Sequence, residues 1–130
     1  MTIHIHVACD DEQYRSVIAD FLDHQTGMEV VGASTSGIGA AAVEIADPDV
    51  VVIGIQSNGN VAQYAPRYRQ MMNDGAAVVA FCMTPEQARE YRRLGIDHVI
   101  LSDDPARNLT AAVRDAYSEH SAVPALQVAH

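Results

Sequence analysis

Five times along this chain a short run of β-branched and apolar residues gives way to a longer stretch with apolar residues at helical spacing. That strict alternation restricts the fold more than any other feature, because parallel strand neighbours need long crossovers where hairpins need only short turns. The first run, 3–8, is followed by Tyr14, Val17, Ile18, Phe21 and Leu22 on one helical face. Further strands are expected at Met28 to Ala33, Val50 to Ile55, Ala77 to Phe81 and His98 to Leu101. Helices are expected at Ile38 to Ala46, up to Asn73 before Gly75, and from Thr84-Pro85-Glu86 to Gly95. A last helix should run from Pro105, capped by Asp103 or Asp104, to about Glu119. The pattern predicts one doubly wound (βα)5 domain, an open parallel sheet covered on both faces, with the apolar third and fourth strands at its centre. The domain is expected to span residues 1–118, with 119–130 as a tail or linker.

Charge narrows the function classes. Seventeen acids oppose eight bases, and the formal charge of −9 argues against nucleic acid as a direct partner. All eight bases are arginine, and a chain without lysine has no Walker-type phosphate loop and no Schiff-base chemistry. No apolar run approaches the ~20 residues of a membrane span. No basic-then-apolar leader opens the sequence, and its two cysteines form no disulfide framework, so a cytoplasmic protein without a membrane partner is expected.

In doubly wound sheets the chemistry sits at the carboxyl ends of the strands. There stand Cys9-Asp10-Asp11-Glu12, Gly54-Ile55-Gln56, Cys82-Met83-Thr84 and Ser102-Asp103. The run Val7-Ala8-Cys9-Asp10-Asp11-Glu12 with Arg15, the run Pro48-Asp49-Val50-Val51-Val52-Ile53, and the stretch 94–103 beginning Leu94-Gly95-Ile96-Asp97 resemble response-regulator receiver domains. The resemblance covers residues 2–117 and implies a flavodoxin-like, CheY-like fold with strand order 2-1-3-4-5. It also implies two-component signal transduction, with a phosphoacceptor aspartate ending the third strand and magnesium held by the acid pair after the first.

Against that pattern the chain is an atypical, pseudo-receiver sequence. Gly54 stands at the phosphoacceptor position and offers no carboxylate to a phosphoryl group or a metal. The hydroxyl position ending the fourth strand falls on Cys82, or on Ala80 if no gap is allowed. The aromatic switch falls on Val99, and the family's lysine on Ser102. Asp10 and Asp11 alone persist, and they read either as a weak magnesium site or as an acidic helix N-terminus. No other cofactor is expected. Cys9 and Cys82 should lie about 10 Å apart and pack without bonding. His4 and His6 share a strand face but lack a third ligand, and so read as satisfied histidines.

The expected function is therefore a phosphorylation-independent, non-enzymatic signalling module that works through protein–protein interaction. The resemblance puts partner contact on the face built by the fourth helix, fifth strand and fifth helix. That face carries Arg89, Arg92 and Arg93 against Asp97, Asp103 and Asp104, which suits a homodimer or a protein partner. Domains of this kind are attached to LuxR-type or ANTAR output domains, or to pilus-assembly ATPases of the CpaE/TadZ group, so an output or ATPase domain outside this chain is implied. The competing reading is a small flavodoxin-like or nucleotide-binding enzyme. The run Gly32 to Gly39 resembles a short-chain dehydrogenase fingerprint, but it follows the second strand, not the first, and the catalytic lysine of that family is absent.

Overall fold

The computed structural model describes residues 2–34, 48–54, 61–73, 75–101 and 105–128. Five strands, β1 (Ile3–Cys9), β2 (Met28–Ser34), β3 (Val50–Gly54), β4 (Ala77–Cys82) and β5 (His98–Leu101), form one sheet in the order β2-β1-β3-β4-β5. Every neighbouring pair is parallel. The described helices are α1 (Glu12–Asp23), α2 (Ala65–Asn73, entered through a 3-10 turn at Val61–Tyr64), α3 (Pro85–Arg93) and α4 (Pro105–Val128). The helix expected at 38–46 lies outside the described residues.

Alternation along the strands divides the core into two layers. Ile5, Val7, Val52, Val79 and Phe81 face α1 and α4 and pack on Ile18, Leu22, Leu109 and Val113. Val51, Ile53, Ala80 and Cys82 face the other way, towards Tyr68, Met71 and Tyr91 of α2 and α3. Strands β3 and β4 are buried at every residue, as their unbroken apolar runs require of central parallel strands.

Local chemistry sets the helix ends. Thr84 Oγ1 accepts the Gln87 N–H at 3.2 Å while Gln87 Oε1 accepts the Met83 N–H at 3.2 Å, a reciprocal cap that starts α3 at Pro85. Gly75 (φ 97°) and Gly95 (φ 93°) follow α2 and α3 in the left-handed region, where a side chain would be strained. The last helix differs from expectation: it does not stop near Glu119 but continues through Pro124 to Val128. Residues 119–128 contain no glycine, and each residue added to an existing helix, except Pro124 with its missing N–H, contributes a hydrogen bond without a new nucleation cost.

The β1–β2 ladder contains an extra residue. Ile5 pairs with Val30 but His6 pairs with Gly32, leaving Val31 as a bulge on the edge strand. The slip brings His6, 1% exposed, across Gly32 to Ser34, with Nε2 2.8 Å from Ser34 Oγ. A Cβ at residue 32 would stand 2.7 Å from His6 Nδ1, so glycine is what lets the buried ring lie there.

Candidate functional site

The parallel register gathers the carboxyl ends of β1, β3 and β4 into one corner. Cys9 pairs with Gly54, and the Asp10 N–H donates to the Gly54 carbonyl at 3.4 Å. Asp11 caps α1, its Oδ1 accepting the Tyr14 N–H at 3.0 Å. Arg15, one turn into α1, reaches back and donates to the Cys9 carbonyl at 3.0 Å. Tyr64 approaches from the 3-10 turn and hydrogen-bonds to Asp10. Burial of the Tyr64 phenol, with the charge and hydrogen bond of Asp10 added, raises its pKa.

The space beside Gly54 is filled from β4. Ile53 pairs with Ala80, so the next row places Phe81 alongside Gly54 on the same sheet face. A Cβ built on Gly54 would lie 2.4 Å from Phe81 Cζ and under 3 Å from both Cε atoms. Tyr14 of α1 backs this ring, with centroids 6.4 Å apart and planes inclined by 34°. The place where a third-strand carboxylate would stand is thus occupied by a phenyl ring that is 3% exposed.

Sequence comparison alone put Cys82 or Ala80 at the fourth-strand position of this corner. In the structure both residues turn to the opposite sheet face, with Ile53 and Tyr91, while Phe81 stands beside Gly54. Phe81 was missed because identifying the residue beside Gly54 requires the β3–β4 register, which alignment to a glycine-anchored fifth strand does not supply. The alternating faces were its one available signal. Val99 lies on the α3 side, partly buried, and Ser102, Asp103, Asp104 and Gln56 fall outside the described residues. Arg89, Arg92, Arg93 and Asp97 are all exposed, and Arg89 pairs with Glu86 of its own helix at 3.6 Å.

The acid pair of this corner already has partners within the fold. One carboxylate caps a helix, the other takes a tyrosine hydroxyl, and a guanidinium bonds to the adjacent carbonyl. Among the described residues no third His, Cys, Asp or Glu converges with the pair, so a magnesium ion held here would take the rest of its oxygen octahedron from water and backbone carbonyls. The cysteines are free and buried on opposite sheet faces. Burial pushes the Cys9 thiol up to about 11 and also raises Cys82, whose Sγ donates to the Ile100 carbonyl at 3.4 Å, so both remain inert thiols. His4 is satisfied at the other end of the sheet, where its Nδ1 lies 3.3 Å from Asp49 Oδ2.

This fold is that of a response-regulator receiver domain. No protein-family model matches the sequence, and no curated protein matches it. Solved structures do. The response regulator domain of Thermotoga maritima CheB is 25% identical with a TM-score of 0.72, over 91% of this chain and 98% of that one. A CheY-like receiver domain protein from Methanospirillum hungatei is 18% identical, with a TM-score of 0.74 over 93% of this chain and 98% of that one. A LuxR-family two-component response regulator from Aurantimonas is 17% identical, with a TM-score of 0.76 over 92% and 87%.

Proposed function

We propose that this chain is a phosphorylation-independent receiver module that serves two-component-type signalling by contact with other proteins, without enzymatic activity of its own. The observation that carries the reading is the Phe81 ring against Gly54. The acceptor carboxylate is absent, and its place is filled by an apolar group that cannot be displaced without disturbing the core. Gly54, Val99 and Ser102 are then degenerate switch positions, with Phe81 in place of Cys82 at the end of β4, and Asp10 and Asp11 have become structural acceptors. Among the described residues no helix is long and apolar enough to cross a membrane; the module is read as cytoplasmic from its composition. The reading extends to residues 1–118 as the signalling unit, coupled to an output or ATPase domain beyond it. Incubation with acetyl phosphate or phosphoramidate and magnesium should leave the intact mass unchanged, both for the wild type and for Gly54→Asp. A stoichiometric gain of one phosphoryl group on the wild type, mapped to Asp10 or Asp11, would overturn the proposal.

The partner face proposed for this module is α3, β5 and α4. Three of the eight arginines fall between residues 89 and 93 of an otherwise acidic chain, and Asp97 follows directly, so two copies can pair these charges across a two-fold axis. Such pairs are exposed and therefore weakened by salt. Light scattering should detect a homodimer at low ionic strength that dissociates as salt rises and is lost in Arg89→Glu/Arg92→Glu/Arg93→Glu. A wild type that stays monomeric at high concentration and low salt would remove self-association and leave a heterologous partner.

A further inference from the structure

At the amino-terminal edge of the sheet, away from Asp10 and Gly54, a groove of about 280 Å³ opens between the starts of β4 and β5 and the later turns of α4. It arises from the register. β5 first pairs at His98 with Val79, so Ala77 and Val78, the first residues of β4, have no strand neighbour on that side. The floor is apolar: Val78, Ile96 and Ala116 line it and are nearly buried, with Met72 at one wall. The rim is acidic. Asp97 is exposed, and Glu119 from α4 is two-thirds exposed, its Oε2 2.8 Å from His98 Nε2. That contact links β5 to α4 across the groove.

We propose that this groove receives a basic side chain of a protein partner, an alkyl stem ending in guanidinium or ammonium. The proposal deepens the reading of the chain as a contact-driven module and rests on it, because it names the chemistry of the partner. An apolar floor of this kind covers methylenes that an arginine or lysine otherwise leaves in water. The two carboxylates at the rim meet the charged head, and the −9 charge of the whole chain raises the local concentration of cations. A neutral apolar side chain would leave the rim charges unanswered, and a bare cation would leave the floor wet.

Amide NMR with N-acetylarginine N-methylamide as the probe tests this at fixed pH and ionic strength. N-acetylnorleucine N-methylamide, which has the stem without the charge, and guanidinium chloride, which has the charge without the stem, are run beside it. Saturable shifts are expected at Gly95, Ile96, Asp97 and Ala116 with the arginine probe alone. The affinity should fall by about two- to twenty-five-fold in Asp97→Asn/Glu119→Gln, since each of the two exposed charge contacts is worth up to about a factor of five. Glutamine at 119 still accepts from His98, so the variant should keep its fold, which its amide spectrum will report directly. Equal shifts from guanidinium chloride, saturation by the norleucine probe, or undiminished binding by the variant would each overturn the proposal. A phosphoryl mass gain, in contrast, would remove phosphorylation independence and leave this groove unaffected, so the two failures are distinguishable.

Discussion

Phe81→Ala is expected to cost about 3–5 kcal/mol of unfolding free energy, the range for removing a buried phenylalanine, while Gly54→Ala should cost about 1–3 kcal/mol through overpacking. The second change would ordinarily be harmless. Gly54 does not have a positive φ, and glycine within a strand is less favourable than alanine by roughly 0.5–1 kcal/mol, so the backbone should gain from the change. Only the ring that would stand 2.4 Å from the new Cβ opposes it. The two substitutions should therefore be strongly non-additive: in a Phe81→Ala background, Gly54→Ala should be neutral or stabilising, with a coupling of at least about 1 kcal/mol. Urea unfolding of the four proteins closes the cycle. Additive losses would mean that Phe81 does not hold position 54 as glycine.

Acidification should destabilise the protein through His6. Burial lowers the pKa of this imidazole in the fold below its ordinary 6.5 by desolvating the charged form, and among the described residues Nδ1 has no hydrogen-bond partner. Above 6.5 the ring is neutral in both states and contributes no pH dependence. Below 6.5, and down to the lowered value, the unfolded chain takes up a proton that the folded one refuses, so stability falls as pH falls. One such proton gives a slope of up to about 1.4 kcal/mol per pH unit. His6→Gln, whose amide can still reach Ser34, should flatten the curve in that window by up to the same amount. Chemical denaturation at a series of pH values reads the difference, and identical slopes in the two proteins would show that His6 takes no part.

Much of the architecture was legible in the residues. The alternation of apolar runs with amphipathic stretches is a local property, and so are the Thr84-Pro85 start of α3 and the glycines after α2 and α3. Each acts within a few residues, and the five strands, the start of α3 and the two glycines stand where these signals put them, while the helix expected at 38–46 lies outside the described residues. The last helix was less legible because a proline in a short tail without clear periodicity is an ambiguous signal, whereas helix propagation is a cooperative property of the whole segment. Within the corner, the absence of a nucleophile was visible as Gly54 and the loss of the amine as a lysine count of zero. What fills the vacated space was not visible, since Phe81 lies 27 positions along the chain from Gly54 and meets it only through the β3–β4 register.

Residue order was enough to say which segments could form strands and helices, that the sheet had to be parallel, and that position 54 carries no carboxylate. Period and composition carry these because they depend on neighbours along the chain or on which atoms exist at all. Packing and register settled that Phe81 fills the space beside Gly54, that Asp10 and Asp11 serve a tyrosine and a helix cap, and that a bulge carries His6 over Gly32 to Ser34. The acid-rimmed groove below β5 belongs with them. Each depends on strand register, where a slip of one residue turns every side chain to the other face, and register is settled by the packing of the whole core.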